Sequence, residues 1–280
     1  IRVEQFVHPL IFQDAVPIDL YLEDGIALVI SGVNGGGKTL AMKSFGLVCA
    51  MVRLGIPFAA RLGSVPAVVL FDEIVVSVGD QQDVQGGEST FTAKLNRYSA
   101  LLRQAADTSK SRLVLLDELG SGTEENAGGA IGQAILEQLL LNKACRVVAT
   151  THSARLKTWA FRHDEIGAAA VTLESAGGGV RRPSYRLQYD CVGDSEALNA
   201  AGRCNPPMPE DVLRRATSLV LNSGKEGPSY TEVLTQSLER RIQLAEEARD
   251  DAESIRSAML TLSIAYDRHL GRMEQNIVRI

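Results

Sequence analysis

The sequence lacks any stretch of roughly 18 uninterrupted apolar residues, so no membrane-spanning helix is expected. Its first residues also lack the basic-then-apolar pattern of a secretory signal. Together these absences predict a soluble intracellular protein with no membrane partner, in the cytoplasm or nucleoid, or in an organelle if the source is eukaryotic. There is no initiating Met. The chain opens on Ile1, which reads as a piece of something longer. No two cysteines form a C-x-x-C pair: Cys49, Cys145, Cys191 and Cys204 are far apart, which favours core thiols over disulfide halves or metal ligands. Positive charge is not in excess either. At a net charge of −5 the surface is unlike that of a domain that grips nucleic acid by itself, so any such contact is expected from outside this segment. No internal repeat or low-complexity tract is present.

What is present suits one large α/β domain with an appendage. The chain has 280 residues, 45% apolar and 22% charged. Compact runs rich in Val, Ile and Leu (Ile26 to Ile30, Ala67 to Phe71, Leu113 to Leu116, Arg146 to Thr150) predict buried strands. Between them, Lys38 to Val52, Ala93 to Ala106 and Gly129 to Leu141 carry apolar residues at helical spacing. Such alternation predicts a mostly parallel sheet flanked by helices. Ile166 to Leu173 and Tyr185 to Tyr189 read as two more strands joined by Gly177-Gly178-Gly179. Pro209 to Val220 predicts a helix that starts at a proline. The domain is expected to span residues 1–222, and residues 229–280 to form one long polar helix. Leu238, Ala245, Ala248, Ala252, Ile255, Met259, Leu262 and Tyr266 give that helix the steps of a coiled-coil seam, weakened by alanines and Arg241. A helix lying on its own domain, or fraying, fits the same residues.

The most specific signal is Gly32-Val33-Asn34-Gly35-Gly36-Gly37-Lys38-Thr39, which matches G-x-x-x-x-G-K-[ST] between a predicted strand and a predicted helix. The chemistry demands these residue types. Glycines let successive backbone N–H groups turn inward around phosphates, and the helix start adds its positive dipole end. Lys38 is the point charge for the β- and γ-phosphates of ATP, and Thr39 offers a hydroxyl to Mg²⁺. A chance glycine-rich turn would not bring the strand and helix with it.

The strand Leu113 to Leu116 runs into Asp117 and Glu118. Neighbouring strand residues point to opposite sides, so the two carboxylates are free to do different work. Asp117 is the candidate for the Mg²⁺ shell and Glu118 for orienting or deprotonating an attacking water. A solvated strand end is the plainer reading, and the upstream phosphate loop argues against it. Asp72-Glu73 is a rival pair, ranked lower because the apolar run resumes at Ile74, which suits a mid-strand or edge position. Thr150-Thr151-His152 ends the next predicted strand, where His152 is the candidate γ-phosphate sensor, although a lone His is more often structural.

In this order the motifs resemble the ATPase domain of the MutS DNA mismatch-repair family, an ABC-class P-loop ATPase, and most of all its recombination-suppressing MutS-two branch. The residues that carry the likeness are His8-Pro9-Leu10, the 32–39 loop, Gly79-Asp80, and Glu88-Ser89-Thr90-Phe91. They continue with 113–123 (LVLLDELGSGT), 149–157 (ATTHSARLK) and Pro183 to Leu187. The resemblance implies that Ser89 acts in trans on nucleotide held by a second subunit, although Ser89 also suits a plain helix cap. It implies that Gly120 to Thr123 crosses a homodimer interface, that Asn34 contacts phosphate or the partner chain, and that Val16 to Ile18 lies near the adenine. It also implies that mismatched or branched DNA is bound by regions mostly outside this chain. In that branch the final helix often leads to a small Smr nuclease module, which is not within these residues, so no residue here is assigned nuclease chemistry. The chain departs from the family pattern at Val33 (usually Pro), Glu125 and Ala127, Lys94 (usually His), Asp190 and Val192. None of these removes an expected phosphate, metal or water ligand.

The expectation is therefore Mg²⁺-dependent hydrolysis of ATP across a dimer. Three alternatives compete. A chromosome-organising or transporter-type ABC ATPase is disfavoured because L-S-G-G-Q is missing. A scaffold that uses ATP only as dimer glue is disfavoured by intact Glu118. A small-molecule kinase is disfavoured by the lack of a recognisable acceptor lid.

Overall fold

A computed structural model of the chain describes residues 1–11, 15–22, 27–78, 90–163, 165–175, 181–192 and 208–223, with isolated positions 249, 253, 256 and 259. The chain divides into two compact units, residues 1–214 and 215–280. In the first, a six-stranded sheet runs in the order β4-β5-β6-β3-β7-β8. Its strands are β3 (Ala27–Gly32), β4 (Glu73–Ser77), β5 (Arg112–Leu116), β6 (Cys145–Thr150), β7 (Ile166–Ser175) and β8 (Arg181–Tyr189). All neighbours pair in parallel except β7 and β8, which form an antiparallel edge. The fold is thus α/β with a mostly parallel sheet, as the alternating pattern implies. A separate two-stranded antiparallel sheet joins β1 (Arg2–Phe6) to β2 (Ile18–Tyr21).

Strand periodicity sorts the apolar residues onto two faces. Leu28, Ile30, Leu113 and Leu115 face one core with Met42, Phe45 and Val48 of α1 (Lys38–Arg53) and with Val3, Phe6 and Leu20 of the small sheet. Ala27, Val29, Val114 and Leu116 face the other. That second core is completed by α2 (Thr90–Ala105), α3 (Glu125–Leu140) and α4 (Ala154–Arg162), through residues such as Tyr98, Leu136 and Leu156. Every residue of β3 and of β5 is buried, which is why their stretches Ala27 to Ile30 and Leu113 to Leu116 read as unbroken apolar runs. Ser153 caps α4 by accepting from the Leu156 N–H at 3.4 Å. Pro209 directly precedes α5 (Glu210–Ser223), and its carbonyl accepts from Leu213 at 3.1 Å.

One expectation changes. The apolar run Ala67 to Phe71 is not a strand: Ala67 makes one bridge to Arg2, and the edge strand begins later, at Glu73. Val69 and Leu70 are 50% and 63% exposed, so hydrophobicity there does not mean a buried strand. The rival acidic pair accordingly sits at a sheet edge. Glu73 pairs with Lys110 and with the buried Arg112 at 2.7 Å, and Asp72 accepts from the Ser111 N–H at 2.8 Å. Hydrogen bonds, from Lys110 and then Arg112 to Glu73 and from Ser111 to Asp72, hold both carboxyls below the usual carboxylate range. They fasten β4 to the start of β5.

In the second unit, residues 249, 253, 256 and 259 are helical, and Arg249 pairs with Glu253 one turn on at 3.3 Å. Met259, one of the seam positions, is 70% exposed, whereas the other seam positions lie outside the described residues.

Candidate active site

The phosphate loop leaves β3 at Gly32 and enters α1 at Lys38, at the end of the sheet where the central parallel strands finish. Gly32 is held against β7: its φ is 124°, and a Cβ there would come within 2.5 Å of the Val171 carbonyl oxygen. Gly37 also has a left-handed φ, of 90°, just before the first helical residue. No larger residue fits the first position without moving β7.

Lys38 is buried, and its Nζ donates to the Gly32 and Val33 carbonyls at 3.0 and 2.8 Å. Burial is the main cause that brings its ammonium down to about 8. Lys157 pushes the same way, and Glu118 and Asp117 oppose. Among the described residues no carboxylate forms an ion pair with this cation, and a phosphate would supply the anion.

Asp117 and Glu118 follow β5. Asp117 donates its N–H to Ser77 at 2.9 Å, and its carboxylate accepts from Thr39 Oγ1, 3.0 Å from both oxygens, and from Thr150 Oγ1 at 2.6 Å. Glu118 has a φ of 50°, a left-handed conformation that costs a non-glycine residue about 1–2 kcal/mol. Four bonds hold it there. The Glu118 N–H donates to Thr150 Oγ1 and the Leu119 N–H to Thr150 O, both at 2.8 Å. The Glu118 carbonyl accepts from Ser121 Oγ at 2.8 Å and from the Ser121 N–H at 3.1 Å. This backbone reversal beyond the strand, more than strand alternation, sends the two carboxylates different ways. Asp117 is buried, whereas the Glu118 side chain is 47% exposed and lines the cleft.

His152 lies just past β6. Burial first, then the charges of Lys38 and Lys157, lower its imidazole to about 4, with Asp117 opposing. It is therefore neutral at pH 7 and available as a hydrogen-bonding group. The sign of the linked stability effect follows. The unfolded state, with an ordinary imidazole near 6.5, takes up the proton first, so this contribution is complete above about pH 6.5 and is lost as pH falls toward 4. Stability from chemical denaturation at pH 7.5 and 5.0 is expected to drop more for the parent than for His152→Gln. An equal drop would show that His152 does not face this environment.

A cleft of about 400 Å³ joins these groups. It is lined by the loop from Asn34 to Leu40 and by Lys43, Glu118, Thr150 and His152. Gly37 and Leu40 also line an adjoining apolar cavity of about 200 Å³, walled by Phe6, His8, Val16, Ile18 and Tyr185. A charged cleft that shares Gly37 and Leu40 with an apolar cavity suits a polyphosphate bound beside an aromatic base. The structure thus brings together the loop residues, Lys38, Thr39, Asp117, Glu118 and His152. Ser89 and the Gly79-Asp80 motif lie outside the described residues. Sequence reasoning did not single out Thr150, the hydroxyl shared by both acidic residues, or Tyr185, whose left-handed φ of 54° belongs to an irregular stretch of the β7–β8 pairing. The second Thr of Thr150-Thr151 braces the neighbouring loop instead, its Oγ1 donating to the Leu119 carbonyl at 2.8 Å.

Among the described residues, the side-chain hydrogen bonds that join Thr39, Asp117 and Thr150 involve only oxygens, one carboxylate and two hydroxyls, the kind of group that suits a hard divalent cation such as Mg²⁺. Residues 28–222 match the MutS domain V family. The chain belongs to the MutS domain V family. MutS-type relatives match along most of its length. A protein named Endonuclease MutS2 from Pelotomaculum thermopropionicum is 36% identical over 93% of this chain and 32% of its own. Proteins of the same name from Solidesulfovibrio magneticus and Thermomicrobium roseum are 38% and 37% identical, over 78% and 88% of this chain and 28% and 29% of theirs. The chain therefore spans about a third of the length of these MutS2 relatives. Among the described residues, no helix is long and apolar enough to cross a membrane.

Proposed function

We propose that this chain is the ATP-hydrolysing part of a MutS2-like protein, working as a dimer and coupled to DNA through regions beyond the shared third. The observation that supports this most is the joining of three elements in one cleft: a buried lysine on the phosphate loop, an oxygen-only Thr39–Asp117 pair, and the half-exposed Glu118. Neither a lone phosphate loop nor a lone acidic pair would say as much. The apolar cavity adjoining Gly37 suits the adenine base, with Val16 and Ile18 among its walls.

In this reading the backbone N–H groups of residues 33–39 and Lys38 hold the triphosphate, and Lys38 exchanges its two carbonyl partners for phosphate oxygens. Thr39 and Asp117 would hold Mg²⁺, which when bound neutralises charge on the phosphate oxygens. Glu118 accepts the proton of the attacking water or aligns it for in-line attack on the γ-phosphate. His152, neutral at pH 7, hydrogen-bonds the γ-phosphate from the next strand. Ser89 completes the site of the opposite subunit, so each dimer carries two composite sites. Recognition of mismatched or branched DNA and control of recombination are the whole protein's part of the proposal, and the nuclease in the relatives' name is assigned to segments outside this chain.

Phosphate release by the purified 280-residue chain tests the core of this reading. Steady turnover with MgATP and none with ATP plus EDTA is expected, together with a rise in molar mass by light scattering when ATP is added. Nucleotide binding and dimer formation without turnover would favour the scaffold reading instead.

A further inference from the structure

Lys94 lies in the second turn of α2 and is buried, although lysine is among the residues least often found inside a protein. Its Nζ donates to Ser121 Oγ at 2.9 Å and stands 3.9 Å from Glu118 Oε2. The Ser121 hydroxyl in turn donates to the Glu118 carbonyl at 2.8 Å and lies 3.5 Å from Oε2. One residue along the same loop, a Cβ placed on Gly122 would meet the Phe91 ring at 3.7 Å. The first turns of α2 therefore touch the loop after Glu118 at two adjacent points.

We propose that Lys94 is a positioning residue for Glu118, holding its half-exposed carboxylate in the orientation used on water, directly and through Ser121. The inference rests on the assignment of Glu118 as the water-activating group. Its physical basis is the contrast in exposure across the pair, 11% for the lysine side chain and 47% for the glutamate. A glutamate side chain that far into water is free to change rotamer, and a solvated carboxylate gains little energy from a cation 3.9 Å away. The lysine cannot move as freely: it is buried and tied to Ser121. The gain from the pair is therefore geometric, and geometry is what an attacking water demands, since a misplacement of about 1 Å can cost 10²-fold in rate. The Glu118 backbone is already set by Thr150 and Ser121, so the side-chain torsions are what remains for Lys94 to restrict.

Steady-state hydrolysis and ATP affinity of Lys94→Met, Lys94→Gln and Lys94→Arg, each alone and in a Glu118→Gln background, test this. Lys94→Met is expected to lower kcat about tenfold while KM and ATP affinity stay within about twofold. Lys94→Arg, which keeps a donor and a charge, is expected to recover most of the rate. Lys94→Gln keeps a donor toward Ser121 and serves where Met prevents folding, with an intermediate rate expected. In the Glu118→Gln background none of the three is expected to lower turnover further. Parental kcat in Lys94→Met, a change confined to KM, or a loss that multiplies with that of Glu118→Gln would each overturn the inference. Parental turnover in Glu118→Gln alone is a separate result: it would remove the role given to Glu118, and Lys94 would then have nothing to position.

Discussion

Glu118→Gln is expected to lower ATP turnover by about 100-fold or more, within the range over which a positioned general base contributes. Gln preserves what the structure uses to hold this residue. The Glu118 N–H still bonds Thr150, the carbonyl still accepts from Ser121, and the amide oxygen can face Lys94 as the carboxylate does. What it removes is the negative charge and the proton acceptor. Binding of MgATP should persist, since Lys38, Thr39 and Asp117 are untouched, and in the proposed dimer the ATP-bound form should accumulate. Rapid-quench turnover, with light scattering for oligomer size, measures both. Turnover close to that of the parent would sink the assignment, and loss of ATP affinity would mean that Glu118 belongs to the binding site rather than to the chemistry.

The second large effect is expected from Lys38→Ala, with a loss of ATP affinity of about 100-fold, the equivalent of about 3 kcal/mol for charge-assisted bonds to phosphate. Stability should change far less, because two consequences oppose each other. The Gly32 and Val33 carbonyls lose their donor, and the unfavourable proximity of Lys38 to Lys157 is relieved. The same environment gives a pH signature. With its ammonium brought down to about 8, Lys38 in the empty site loses charge as pH rises past that value, so parental ATP affinity should weaken there while Lys38→Ala shows no matching change. Calorimetric titration of MgATP at pH 7.5 and 9.0 reads both effects. Unaltered affinity in the variant would remove the phosphate loop from the nucleotide site.

Much of this site was legible in the chain because its chemistry depends on local spacing. Gly32 to Thr39 must be consecutive to wrap one phosphate group, and Asp117-Glu118 must follow an apolar strand to reach the same end of the sheet. The failures were of a different kind. The apolar run Ala67 to Phe71 carries strand-like residues, yet pairing chose Glu73 to Ser77, because that segment can lie beside β5 in register and be fastened to it by Arg112 and Lys110. Composition records that a run prefers to leave water, but not whether a neighbouring strand is within reach. Strands β1 and β2 were not anticipated at all, although they close one core and bring Val16 and Ile18 beside the phosphate loop.

The sequence alone determined the alternation of strands and helices, the phosphate loop, the acidic pair and the family. Each depends on residues adjacent in the chain or on a periodicity of two or 3.6, and a linear text records those directly. Tertiary structure decided what depends on residues far apart. Thr150 reaches across 33 positions to Asp117, Lys94 across 27 to Ser121, and Tyr185 comes to rest beside Gly37. Those contacts exist only after the parallel crossovers have placed β5, β6 and β3 side by side, and nothing local to any of the three residues announces its partner.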